Sequence, residues 1–306
     1  MKNSSKKLLK VLIGLALILF IILNLNLKTI LRIFLEANPI YLSLAFFLFF
    51  LSHLSIFFRL SYGFSKFHKI SRKKVFWSHF FGYLTSLLTP GKVGYLSIAY
   101  ALKKDIPPSF STSFLVFCQI ISFSVQVILG ILGLIYLSTL HLTEREFFLI
   151  SFSILWLFLS ISIVLIFFKF GISKFKFIRK LPKGKKIFNF LKNTNRDFSL
   201  AKRTIGIVFS FTLLGWLLSG LAWLFIGLSL RVKLPWFAFI FLNPIVYSLT
   251  FVPLTPAGLG IAEAGSVVIF SIFGFKAEEG FLIMILDRAF NSLISLLGLR
   301  MLWKKG

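Results

Sequence analysis

Apolar stretches long enough to cross a bilayer, by the criterion of about 20 residues, run near 8–24, 39–62, 108–138, 147–170, 204–230 and 278–302. Two more apolar stretches, 75–102 and 235–274, are interrupted at their centres. The first interruption is Leu88, Thr89, Pro90, Gly91, Lys92, Val93, Gly94. The second is Leu254, Thr255, Pro256, Ala257, Gly258, Leu259, Gly260. Both follow L-T-P-x-x-x-G. Proline lacks a backbone N–H and its ring clashes with the preceding turn, while glycine relaxes the backbone, so neither stretch continues as one helix.

Charge decides whether the first broken stretch, 75–102, crosses or turns back; for 235–274 only the three C-terminal cations change side. With both read as re-entrant hairpins, 27 Lys and Arg fall in cytoplasmic segments and 6 in outer ones. Segment 169–203 is the most basic, and it moves outside if 75–102 crosses, against the positive-inside rule. The sequence therefore predicts an all-α integral membrane protein, one polytopic domain over residues 1–306. Six spanning helices and two re-entrant helical hairpins make it up, with both termini cytoplasmic in the cell membrane. Residues 39–138 and 204–302 then have the same order of elements and opposite orientation. This is an inverted-topology repeat, an architecture that transporters use.

Composition agrees with the pattern. Hydrophobic residues make up 58% of the 306 and charged ones 14%, and mean hydropathy is +0.92. The net charge of +26 sits in short loops, with no long basic domain outside the apolar runs, so no nucleic-acid partner is expected. Lys2, Lys6, Lys7 and Lys10 precede the run Val11–Leu23, but no small-residue cleavage site follows. This segment reads as a retained helix rather than a signal peptide. The single cysteine, Cys118, gives no disulfide framework.

Candidate chemistry gathers at the breaks and on the last helix. Thr before Pro is the favoured order for an N-cap and first helical position, so Thr89 and Thr255 are expected to start half-helices. Such N-termini present free N–H groups to an anion. Gly91, Gly94, Gly258 and Gly260 permit close approach, either of a ligand or of the hairpin arms to each other. Lys92, Glu263, Asp287 and Arg288 are charges away from the loops, and Asn291 shares a helix face with Arg288. Intramembrane charges are paired or face a watery cavity. These either hold helices together or act on a ligand. His53, His68, His79 and His141 show no ligand spacing, and no catalytic or nucleotide-binding motif occurs. No enzyme activity, cofactor or metal is expected.

The motif around Pro256, Gly258, Leu259, Gly260, Glu263 and Ala264 is similar to P-G-G-L-G-x-R-E-A. The segment Pro90, Lys92, Gly94, Ala99 and Tyr100 is similar to P-x-R-x-G-E-x-x-R-A-Y. The chain thereby resembles the flippase-like proteins related to the transmembrane region of lysylphosphatidylglycerol synthases. Arg288 matches an arginine of that family's last helix. Lys92, Tyr95, Ile98 and Ala262 depart from the pattern, standing where the family has arginine, glutamate, arginine and arginine. The resemblance implies a protein that moves an anionic phospholipid or polyprenyl-linked headgroup between leaflets. Its ligand-binding residues would come from Thr89, Pro90, Gly91, Lys92, Gly94, Thr255, Pro256, Gly258, Gly260, Glu263, Asp287, Arg288 and Asn291. The alternative is a non-catalytic membrane partner of a glycosyltransferase or lipid-modifying enzyme. Lysyl transfer is not expected, since the chain stops at Gly306 just after the last helix.

Overall fold

A computed structural model describes residues 2–138, 202–233, 235–272 and 275–303. Helices α1 (Lys2–Asn24), α2 (Leu27–Leu35), α3 (Pro39–Phe67), α4 (Arg72–Leu87), α5 (Ser97–Ala101) and α6 (Pro108–Ser138) come first. Then follow α7 (Lys202–Ser229), α8 (Trp236–Ser248), α9 (Ile261–Ile272), α10 (Ala277–Ser295) and α11 (Arg300–Trp303). The described residues contain no named strand.

Four helical stretches are long and apolar enough to span: Pro39–Phe67, Pro108–Gly133, Thr204–Ser229 and Ala277–Leu302. The run expected at 8–24 is helical, but it meets α2 at a 92° bend, and the two count together as a fifth candidate. The expected span at 147–170 lies outside the described residues. Helices α4 and α8, of 16 and 13 residues, extend about 24 and 20 Å at 1.5 Å per residue. Both fall short of the roughly 30 Å hydrocarbon core.

Small residues let the long helices pack. Along the α3–α7 seam, Ser52 donates to the carbonyl of Gly215 at 2.8 Å and Ser55 to that of Phe211 at 2.5 Å. Such hydroxyl bonds join helices where apolar lipid gives no hydrophobic drive. Asn38 caps α3 by accepting from the Ile40 N–H, with Pro39 at the first position. One core gathers Phe49, Trp223, Phe239, Phe270 and Ile283. Another gathers Leu60, Phe64, Ile98, Phe114 and Val208.

The two L-T-P-x-x-x-G segments form two tips that touch. Pro90 and Pro256 face each other in an antiparallel bridge, and the Ala257 N–H donates to the Thr89 carbonyl at 3.2 Å. Proline has no N–H, so a proline pair fits only the site of an antiparallel ladder where flanking residues make the bonds. Around each tip the order is the same: a long helix, a short one, the tip, a short one and a long one. The chain directions at the contact are opposite.

The helix starts differ from expectation. Thr89 and Thr255 cap no helix. After Pro90 the chain passes through left-handed φ at Gly91 (61°) and Lys92 (55°), and a 3-10 turn at Val93–Leu96 leads into α5. After Pro256 the same region is visited at Ala257, Gly258 and Gly260 before α9 starts at Ile261. The threonine hydroxyls close these turns instead. Thr89 Oγ1 accepts from the Gly94 N–H at 2.7 Å, and Thr255 Oγ1 donates to the Leu259 carbonyl at 2.8 Å.

A Cβ on Gly94 would lie against the Thr85 carbonyl oxygen, and no atom of the described residues within 4 Å would meet one on Gly206. Gly94→Ala should therefore destabilise the protein by about 1–3 kcal/mol or more. Gly206→Ala, within helix α7, should be neutral or stabilise by about 1 kcal/mol. Thermal unfolding midpoints in detergent compare the two. Equal midpoints would show that the first tip is not packed as described.

Candidate functional site

A cavity of about 340 Å³ opens between α3, α4, the first tip, α6, α7, α8 and α10. That is the size of a small ligand site. Phe49, Ile56, Leu115, Ile120, Trp216 and Phe251 give it apolar walls. Its polar side chains include Arg59, Lys92, His53, His79, Tyr95 and Asn291. No Asp or Glu is among the described residues lining it.

Arg59, at the inner end of the apolar run 39–62, is one of the 27 cations that the sequence places in cytoplasmic segments. Helix α3 instead continues to Phe67, leaving Arg59 about two turns inside it. It is 4% exposed. Nη1 donates to Thr212 Oγ1 at 2.8 Å and to the Cys118 carbonyl at 3.5 Å. Nε has no hydrogen-bond partner among the described residues. Among the described residues Arg59 makes no ion pair. A buried guanidinium without a counter-charge is costly, and the open cavity is where an anion would relieve it.

Lys92, also buried, reaches the same cavity from the first tip. Its Nζ sits 3.6 Å from the centroid of the Tyr247 ring and 5.2 Å from that of Phe251. A cation over aromatic faces is held without being neutralised. Left-handed φ at a lysine is unfavourable by about 1–2 kcal/mol; it aims this side chain inward.

The residues expected from the sequence separate into three groups, with Asp287 apart from them. Gly91, Lys92 and Asn291 line the cavity. Thr89, Pro90, Gly94, Thr255 and Pro256 build the tips and their bridge. Gly258, Gly260, Glu263 and Arg288 form a second cluster behind the second tip. There Arg288 Nε donates to Glu263 Oε1 at 2.5 Å, and the guanidinium also approaches the carbonyls of Ala257 and Gly258 at 3.4 and 3.5 Å. Glu263 Oε2 accepts from the Gly260 N–H at 2.7 Å, a carboxylate in the first turn of α9 closing on its cap. Glu263 is fully buried. None of these four lines the cavity. Asp287 accepts from the Trp223 indole N–H at 2.8 Å and does not line it either.

Residues 7–298 match the family described as the lysylphosphatidylglycerol synthase transmembrane region. A UPF0104 membrane protein of Methanocaldococcus jannaschii is 29% identical over 204 residues, which cover 66% of this chain and 85% of that relative.

Proposed function

Starting from a chain that belongs to the lysylphosphatidylglycerol synthase transmembrane-region family, a multi-pass membrane protein, we propose that its cavity holds the anionic group of a membrane lipid and that the protein moves this lipid between leaflets. The observation that carries the reading is Arg59: a buried cation with an unpartnered Nε beside a cavity that also receives Lys92 and no described carboxylate. Apolar walls next to two cations suit a headgroup phosphate with acyl or prenyl chains running out into the bilayer. An aminoacylated headgroup, whose added amines are cationic, meets repulsion there.

In this reading the hairpins α4–α5 and α8–α9 enter the membrane from opposite faces and meet at the Pro90–Pro256 bridge. The termini and segment 169–203 are cytoplasmic. Binding and movement need no bond to be made or broken, so no catalytic role is assigned to any residue.

The test is reconstitution of the full chain in liposomes with fluorescent phosphatidylglycerol or fluorescent phosphatidylcholine, followed by chemical quenching of the outer leaflet. The expected result is protein-dependent loss of the protected fraction for the anionic lipid and little for the zwitterionic one. No movement of either, or equal movement of both, would overturn the proposal. The first of these outcomes favours a partner of a lipid-modifying enzyme.

A further inference from the structure

A line of polar side chains runs along the cavity wall, and hydrogen-bond chemistry fixes where its protons lie. Tyr95 Oη is 3.0 Å from His79 Nδ1. His79 Nε2 is 3.3 Å from His53 Nδ1, and His53 Nε2 is 3.0 Å from Asn291 Oδ1. Asn291 Nδ2 donates to the Asp287 carbonyl at 2.9 Å, so its Oδ1 is left to accept. His53 therefore carries its hydrogen on Nε2 and has a bare Nδ1. His79 Nε2–H donates to that nitrogen, and the bare Nδ1 of His79 accepts from the Tyr95 hydroxyl. Every donor meets an acceptor with both rings neutral.

One proton can be added without breaking the line, and only at one atom. At His53 Nδ1 it would point at the His79 N–H. At His79 Nδ1 it reverses a single bond, becoming a donor to Tyr95 Oη. The tyrosine hydrogen must then turn to another acceptor. Tyr95 lines the cavity, so an anion oxygen there is in position to take it.

We propose that the protein co-binds one proton with its anion, the proton at His79 Nδ1 and the Tyr95 hydroxyl linking the two. This rests on the anion reading of the cavity. The surrounding charge favours such coupling. On α3 the pair faces Arg59; on α4, Tyr83, whose ring centroid lies 4.3 Å from that of His53; at the tip, Lys92. Tyr95 itself faces Arg59, Cys118 of α6 and Tyr247 of α8. Asp287 on α10 is engaged by Trp223 of α7, and Arg288 by Glu263 of α9. A proton on His79 adds a third cation to Arg59 and Lys92, which is unfavourable in an empty cavity and favourable beside an anion. Linkage then requires each to strengthen the other's binding.

The experiment measures binding of short-chain phosphatidylglycerol to the full chain in detergent from about pH 8 to about pH 5.5, together with proton uptake in weak buffer. A phosphodiester keeps its single charge throughout that range. Affinity should rise as pH falls, by up to about tenfold per pH unit, the limit for one linked proton. Binding should take protons from solution. His79→Gln should bind with equal affinity at both ends of the range, and Tyr95→Phe should show a reduced slope. Should His79→Gln fail to fold, Tyr95→Phe and proton uptake by the unaltered chain decide. Binding that depends on Arg59 but not on pH, or a slope that persists in His79→Gln, overturns the coupling alone. Absence of Arg59-dependent binding at every pH overturns the anion reading and the coupling with it.

Discussion

Arg288→Ala should yield little folded protein, and the loss should be largely repaired by removing the opposite charge as well. Glu263 is fully buried, and its Oε1 is engaged by Arg288 Nε. Taking the arginine away leaves a carboxylate in an apolar interior, which destabilises by about 3–5 kcal/mol. That is comparable to much of the stability of an ordinary domain. Glu263→Gln combined with Arg288→Met keeps an acceptor for the Gly260 N–H and leaves no charge behind, so it should recover most of the folded yield. The readout is monodispersity on size exclusion with thermal midpoints in detergent. Equal stability of Arg288→Ala and the unaltered chain would show that the pair is not buried as described. The sequence left these charges open between helix pairing and ligand contact; the pair's geometry, behind the second tip and off the cavity wall, directs the expectation toward pairing.

Arg59→Met should do the reverse, leaving the fold intact and removing ligand binding. A buried cation with no described carboxylate partner contributes little to stability and can oppose it, so an apolar residue of similar length should hold or raise the thermal midpoint. Hydrogen bonds from a charged donor are each worth about 1.5–3 kcal/mol. Loss of one weakens binding by about 10- to 100-fold. Arg59→Lys keeps the charge but not the planar fork of donors and should recover only part of this. The measurement is affinity for short-chain phosphatidylglycerol beside the midpoint of the same preparation. A fall in both together would mark Arg59 as a structural residue and remove the main support for an anion site.

Much of this was legible in the residues. Pro90 and Pro256 announced two breaks in matching positions, and the structure brings those two residues face to face. Lys92 stands out by its depth in an apolar stretch and Asn291 by the helix face it shares with Arg288, and both reach the cavity. The helix starts were misread for a local reason. Thr-Pro is a good helix opening when the next residues stay right-handed. Here left-handed φ at Gly91 and Lys92, and at Ala257 and Gly258, intervenes before any helix forms. Arg59 was hidden by the end of a hydrophobic run that understated the length of α3. The histidines were judged by the spacing that metal ligands need. His53 and His79 lie on different helices, and only packing of α3 against α4 puts them in one line. In the sequence Tyr95 stands out only as a departure from a family glutamate.

An antiparallel pairing of like residues has a two-fold axis between them. Two separate chains, each carrying one such tip, could make the Pro90–Pro256 contact as well as one chain carrying both. Joining the two in a single chain frees them to diverge, since neither must still match a copy of itself. Counted from its proline, the first tip has Lys92 where the second has Gly258, and Ser97 where the second has Glu263. One tip thus carries a charge into the cavity, while the other spends its charge on an internal clamp. A symmetric pair of chains would have to place both features at both tips or neither.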